Sequence, residues 1–473
     1  AEIYMLTSES ARTAAERDRL RLAAFAAAEA RRTRALNDFQ ELARPAAQDL
    51  DRDLRTRRHR LAVLLDQQNL QLDKVEALRN EIALLNTRLD VLHGRKSAAA
   101  ARPEPLVAAT PVAELRRAMR DETVVLAYLL GNSRSWLWCI TRDELRTFAL
   151  PSRAELEESV AELQVLWSRP IVRPTDAARE EELSRLILGG AAEVLARHHE
   201  VAIIPDGALR HVPFAALRMP RAGSTGSATR LVETHVVSLL PSLQFTARSV
   251  LPAARGDGIL LVGDPVSGGS SSAAFAPLPG SRREIAVIRE IAADWRADTL
   301  TGVQATKTAL LHKPLADYRV LHFATHARLD VESPQLSTIV LSRPASLAST
   351  EDSGLSLREI VGLDLSAETV VLSACEGSLG KQYRGQVSLG LSEAFLLAGA
   401  GNVVGSLWRV SDAAAQRYMT LFYDQYVVRG NAPAIAAQRA ARTMMRDPKY
   451  AHPFYWAAFV VLTARSPMTG GRA

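Results

Sequence analysis

Apolar and polar positions along the chain fall into three textures. Residues 1–48 are rich in Ala, Arg, Glu and Leu and hold no Gly, a pattern that predicts two antiparallel helices broken before Pro45. Within them AAFAAAEARRTRALNDFQ has the small-residue spacing of a helical-repeat unit, in which Ala lets neighbouring helices approach closely. Over 49–95 a longer helix is expected. Positions 61, 64, 68, 71, 75, 78, 82, 85, 89 and 92 step by three and four, and all but Gln68 and Gln71 are Leu, Val or Ile. Such a heptad seam fits self-association as a coiled coil, and equally a helix lying along the protein's own body. Residues 96–110, with Lys-Ser-Ala-Ala-Ala-Ala-Arg-Pro-Glu-Pro, read as a linker.

After the linker the period changes to short β-branched runs alternating with helical stretches. Thr123 to Leu130 and Ser135 to Ile140 flank a Gly-Asn and predict a hairpin, with Cys139 in its core. Helices are expected at 153–167 and 177–198, then a strand at 201–205 that turns through Pro-Asp-Gly. Further strands are expected at 258–262, 318–323, 337–341, 369–372, 402–407 and 459–462. The intervening helices are at 282–293, 388–398, 411–428 and 432–445. Strands alternating with helices predict an α/β fold around a mostly parallel, doubly wound sheet, behind an all-α N-terminal region.

Composition changes this picture little. The net charge of +6 invites a nucleic-acid reading, but the Arg residues are interleaved with Asp and Glu, as on a solvated helix face, and no nucleic-acid motif accompanies them. No run approaches the roughly 20 apolar residues of a membrane span and no signal peptide is visible, so no membrane role is expected. Two cysteines suit a reducing compartment, and a cytoplasmic location is expected. The chain opens Ala-Glu-Ile-Tyr without Met and reads as a piece of a longer protein. His198, His199 and His211 lack a carboxylate or thiol at ligand spacing, so no metal site is assigned to them. GAGNVVG at 399–405 leaves a helix and enters a strand, the reverse of a dinucleotide-binding turn, and reads as a helix C-cap. No Walker motif is present, and no cofactor is called for.

Chemistry enters with VVLSACEGSLG, where an apolar strand delivers Cys375 into a turn of small residues. Alone, that cysteine reads more readily as core than as nucleophile. In a parallel sheet, however, ligands bind beyond the carboxyl ends of the strands, and Cys375 lies just past one such end. LHFATHA places His326 at another, 49 residues earlier. An imidazole beside a thiol favours the thiolate and later donates a proton to a leaving amine. His322 lies in mid-strand and reads as packed.

YRVLHFATHARLD, VVLSACEGSLG, GLSEAFLLAGAGNVVGSLWRVSD and HPFYWAAFVVL together resemble the CHAT family of caspase-like cysteine peptidases, relatives of caspases and separases often found behind tetratricopeptide repeats. The likeness runs from about 111 to 465 through IIPDGALRHVPFAAL, LVGDP and LPGSRREI. It implies a non-catalytic half over 111–255 and a catalytic half over 256–468. By the same resemblance Cys375 is the nucleophile of a Cys-His dyad and His326 its general acid and base. The N–H groups of Cys375 and Ala327 form the oxyanion hole, with Ala327 standing where Gly is usual. LWRVSD is similar to a separase segment whose Asp meets a basic P1 side chain, which nominates Asp412; Asp264, Glu376 and Ser373 are the other pocket candidates. The family implies a regulated signalling or defence endopeptidase acting on protein or peptide, with a regulatory partner protein on the N-terminal helices. A catalytically silent scaffold that binds peptides or partner proteins is the competing expectation.

Overall fold

Most of the β-branched runs become inner strands of one large sheet. The computed structural model describes residues 1–42, 57, 73–85, 112, 114, 116–117, 119–170, 176–220, 229–243, 256–266, 278–328, 337–343, 354–373 and 390–464. Their strands are β1 (Thr123–Leu129), β2 (Ser135–Ile140), β3 (Leu145–Leu150), β4 (Glu200–Ile204), β5 (Val236–Leu239), β6 (Gly258–Pro265), β7 (Ala297–Gly302), β8 (Tyr318–Ala324), β9 (Ala327–Arg328), β10 (Thr338–Ile339), β11 (Leu355–Ser356), β12 (Thr369–Leu372), β13 (Asn402–Ser406) and β14 (Phe459–Thr463). The helices are α1 (Glu2–Glu9), α2 (Ala14–Leu42), α3 (Arg153–Trp167), α4 (Asp176–Leu188), α5 (Ala192–Leu195), α6 (Leu231–Thr234), α7 (Pro279–Ile291), α8 (Lys307–Leu311), α9 (Leu357–Val361), α10 (Leu391–Leu397), α11 (Asp412–Tyr423) and α12 (Pro433–Arg446).

Eleven strands form one sheet in the order β3-β2-β1-β4-β5-β14-β13-β12-β8-β6-β7. It is mostly parallel: antiparallel pairing is confined to β1–β2, β2–β3 and β13–β14. The strands from before and after residue 250 meet where β5 pairs β14, so the two parts of the sheet share one hydrogen-bonded layer. The run at 337–341, expected as another parallel strand, instead gives β10, the centre of a separate antiparallel sheet ordered β11-β10-β9. The helix expected at 177–198 is broken after Leu188, where a 3-10 turn begins at Gly189. Phe148 packs on Gly190 so closely that a Cβ there would come within 2.6 Å of its ring.

Both faces of the early strands are apolar, as a sheet covered on both sides requires. Val124, Leu126 and Tyr128 of β1 enter the main core with Leu156 and Trp167 of α3 and Ile187 of α4. Val125, Ala127 and Leu129 face the other way, and with Trp136, Trp138 and Ile140 of β2 they are covered by Met5 of α1 and Ala24, Phe25 and Ala28 of α2. Phe25 meets Trp138 edge to face at 5.3 Å. The N-terminal helices are therefore a layer of this sheet.

Residues 73–85 are helical, with Val75 and Leu85 buried on the expected seam. Arg57 Nε donates to Glu81 Oε2 at 2.6 Å. The rest of the helix expected over 49–95 lies outside the described residues. No described helix is long and apolar enough to cross a membrane.

Candidate active site

β8 and β12 are adjacent and parallel, with Leu372 opposite Phe323, and their carboxyl ends open on the same edge. The pairing continues one residue further, because the Ser373 N–H donates to the Phe323 carbonyl at 2.9 Å. Ser373 is half-buried on that edge, and the described stretch 354–373 ends with it. Cys375 and Glu376 lie outside the described residues.

Beyond β8 the chain passes through buried Thr325 to half-buried His326. The His326 carbonyl accepts from the Val340 N–H at 2.8 Å and from Thr325 Oγ1 at 3.1 Å, which fixes the backbone that carries the imidazole. That first bond also sets the register of β9 on β10. With 326 and 340 as a hydrogen-bonded pair, Ala327 and Ile339 are a non-bonded pair, and the Ala327 N–H turns away from β10. Ala327 does not have positive φ; among the described non-glycine residues only Asp264 does, at 50°. An Ala in place of Gly therefore costs this turn nothing.

Two other candidates, Asp264 and Asp412, meet around the start of α7. Asp264 is the next-to-last residue of β6, beside β8 in the sheet. Its N–H donates to Ser281 Oγ at 3.0 Å, and Ser281 Oγ donates to the Ala324 carbonyl. Arg282 places Nε at 2.9 Å and Nη2 at 2.5 Å from Asp264 Oδ2, so that carboxylate already has a cation. Asp412 is exposed at the first position of α11 and lies over Gly280, where a Cβ would stand 2.5 Å from its Oδ2 and 2.6 Å from its Cβ. Each residue of Pro279-Gly280-Ser281-Arg282 thus has a task at this edge: starting the helix, making room for Asp412, tying β6 to β8, and covering Asp264. Gly280, Ser281 and Arg282 were not singled out from the sequence, although LPGSRREI contains all three.

The remaining titratable candidates are structural. His322 is fully buried in β8, with Nδ1 3.0 Å from Tyr423 Oη and Nε2 3.0 Å from Glu284 Oε1, the latter off the line of a good hydrogen bond. Cys139 is buried in β2, and desolvation pushes its thiol up to about 12. His198 Nδ1 lies 2.8 Å from the Val194 carbonyl. Gly399 has φ of 111° after α10, as a helix C-cap requires, and a Cβ on it would sit 2.2 Å from the Leu365 carbonyl oxygen.

Known proteins are similar to parts of this chain. Tetratricopeptide repeat protein 28 of Mus musculus is 24% identical over 310 residues, 56% of this chain and 12% of that protein. The Homo sapiens protein of the same name is 24% identical over 312 residues, with the same shares. The chain thus spans about an eighth of the length of these relatives. Separase in the Saccharomyces cerevisiae separase–securin complex superposes with a TM-score of 0.50 at 12% identity, covering 74% of this chain and 30% of that one. The CHAT domain matches residues 178–464, more than half of the chain. This chain belongs to the CHAT domain family and has a caspase-like fold, which it shares with separase.

Proposed function

We propose that this protein is a cysteine endopeptidase with Cys375 as nucleophile and His326 as general acid and base. The observation that carries the reading is that His326 leaves β8 on the same sheet edge where β12 runs into the Cys375 segment. Two peptide units keep the Cys375 Cα within about 7.6 Å of that of Ser373. The thiolate attacks the scissile carbonyl and His326 protonates the leaving nitrogen, breaking the C–N bond. Water then attacks the thioester, giving its proton to His326, and the thiol is restored. The Ala327 N–H, free of β10, and the Cys375 N–H would hold the oxyanion.

Of the pocket candidates, Asp412 is the better anion for a basic P1 side chain. It is exposed and has no ion pair among the described residues, whereas Asp264 is covered by Arg282. Ser373 follows the end of β12, and Glu376 comes three residues later in the sequence. Physiological substrates, and partner proteins bound through the N-terminal helices, belong to this proposal; relatives named for tetratricopeptide repeats support the partners.

A peptide-library cleavage profile of the wild type, Cys375→Ala and His326→Ala tests the assignment. Cleavage after Arg or Lys, abolished in both variants, is the expected result. Cleavage that survives Cys375→Ala would overturn the nucleophile, and an inert wild type that still binds peptide would point to a scaffold.

A further inference from the structure

His322 takes no part in the chemistry proposed above, yet it is the only polar side chain between Val320 and Ala324 of β8. It is fully buried, and lies opposite Leu261 of β6 and Val371 of β12 in the sheet. Its two ring nitrogens reach two different helices. Nδ1 is 3.0 Å from Oη of Tyr423, the last residue of α11, and Nε2 is 3.0 Å from Oε1 of Glu284, in the second turn of α7. Tyr423 is fully buried as well, and Glu284 is 4% exposed.

The protons in this group can be placed. Burial, with smaller contributions from Tyr426 and Glu284, raises the Tyr423 pKa well above its usual value, so the hydroxyl keeps its proton. A hydroxyl that donates to Nδ1 leaves the neutral ring with its own proton on Nε2, on the side of the Glu284 carboxylate. That contact has the length of a hydrogen bond but not its line, and neither Nε2 nor Oε1 has a better-placed partner among the described residues. Two such groups buried apart from each other cost more than the same groups buried together, so α7 is held where Glu284 meets the ring.

The same two helices meet again at their amino ends. Asp412, the first residue of α11, stands over Gly280 of α7 with its Cβ 2.6 Å from where an alanine Cβ would be. Helices packed on a sheet can rotate or slide about a single contact, and a second contact fixes their crossing. Here one contact is steric, Gly280 against Asp412, and the other is polar, through His322. Ser281 also ties α7 to β8, at the Ala324 carbonyl, whereas His322 touches both helices.

Resting on the peptidase reading and its basic P1 pocket, we propose that His322, Glu284 and Tyr423 are positioning residues that set where Asp412 stands against α7, and with it the preference for Arg or Lys at P1. Two readouts separate this role from the reading it rests on. One is the ratio of kcat/KM for paired peptides with Arg or Gln at P1. The other is amide hydrogen exchange over 279–286 and 412–418, which reports the two helix ends whether or not the protein cleaves anything. In Glu284→Gln and in Tyr423→Phe, which keep the side-chain shapes, the Arg-over-Gln ratio is expected to fall by about threefold to thirtyfold. The loss should be carried by KM on the Arg peptide, and exchange should quicken at both helix ends. His322→Leu should lose most, and His322→Gln, whose amide can still donate to Glu284, should recover part. A merely destabilised protein loses kcat/KM on both peptides in proportion, so a ratio that stays at the wild-type value overturns the proposal. If the His322 variants fail to fold, Tyr423→Phe, which removes a single oxygen, decides the matter. If the wild type cleaves neither peptide, the peptidase reading fails, and cleavage without preference for Arg removes the basic pocket. In both cases exchange decides the positioning role: quicker exchange at both helix ends keeps it, and unchanged exchange ends it.

Discussion

The two cysteines share a residue type and differ in everything that controls reactivity. Cys139 sits between β1 and β3 with its thiol pushed up to about 12, chiefly by burial, so almost none is thiolate at pH 8. Native protein treated with iodoacetamide at pH 8 is therefore expected to lose one thiol at Cys375 and to keep Cys139 until it is unfolded. Early modification of Cys139 in the native state would contradict its place in the core. His235 gives a pH effect of definite sign. Burial lowers its pKa, with the Leu195 carbonyl, 2.8 Å from Nε2, partly offsetting that. A base whose folded pKa lies below its unfolded value makes the unfolded chain the better proton acceptor once pH falls through about 6.5. Stability contributed by the neutral ring is thus present above that pH and lost below it, and His452 is shifted in the same direction. Urea midpoints should drop between pH 7 and pH 5, less steeply in His235→Gln than in the wild type; parallel slopes would show that the ring is not responsible.

At the scale of elements, what was legible in the sequence follows from how much each element depends on its own residues. β1, β2, β4, β6, β8, β12 and β13 are largely buried and read as apolar runs. β7, Ala-Asp-Thr-Leu-Thr-Gly, is a half-buried edge strand with no apolar run, and β5 has only four residues. β9 and β11 have two residues each, below any detectable period, so the run at 337–341 reads as a strand but the small sheet it forms with them, which holds Ala327, is not visible. His326 was legible because a strand end can be read from sequence. Gly280 was not, because its requirement comes from Asp412, 132 positions away. Its consequence is testable: the Asp412 Cβ, 2.6 Å from where an alanine Cβ would stand, is anchored to α11 and cannot swing aside. Gly280→Ala should cost about 1–3 kcal/mol in thermal unfolding and weaken any preference for Arg or Lys at P1. An unchanged melting temperature would mean that α7 and α11 are not held in contact there.

At the scale of the molecule, the N-terminal helices change role. Their Ala-rich texture predicts a helical-repeat unit, and the family resemblance implies a regulatory partner bound to it, a reading in which removing them leaves an intact peptidase with altered activity. The packing argues otherwise. Met5 and Phe25 are 2% and 1% exposed, and with Ala24 and Ala28 they cover the side of β1 and β2 opposite the main core. Each large apolar side chain buried this way contributes about 1.5–3 kcal/mol, and uncovering Trp136 and Trp138 loses their share as well. The buried Arg32–Glu29 pair would leave with α2, taking partners from the Tyr128 carbonyl and the Leu243 N–H. α2 also touches α9, which follows directly on β11, so the same helix borders the small sheet carrying Ala327. Deleting residues 1–42 is therefore expected to expose the early strands to proteolysis and hydrogen exchange, and to lower activity through loss of fold. Phe25→Ala is the milder form of that experiment. It should cost about 3–5 kcal/mol, shift the fluorescence of Trp138, 5.3 Å away, and leave α1 and α2 in place. A truncated chain that melts at the wild-type temperature with an unchanged exchange pattern in β1 and β2 would return the helices to the status of a detachable regulator.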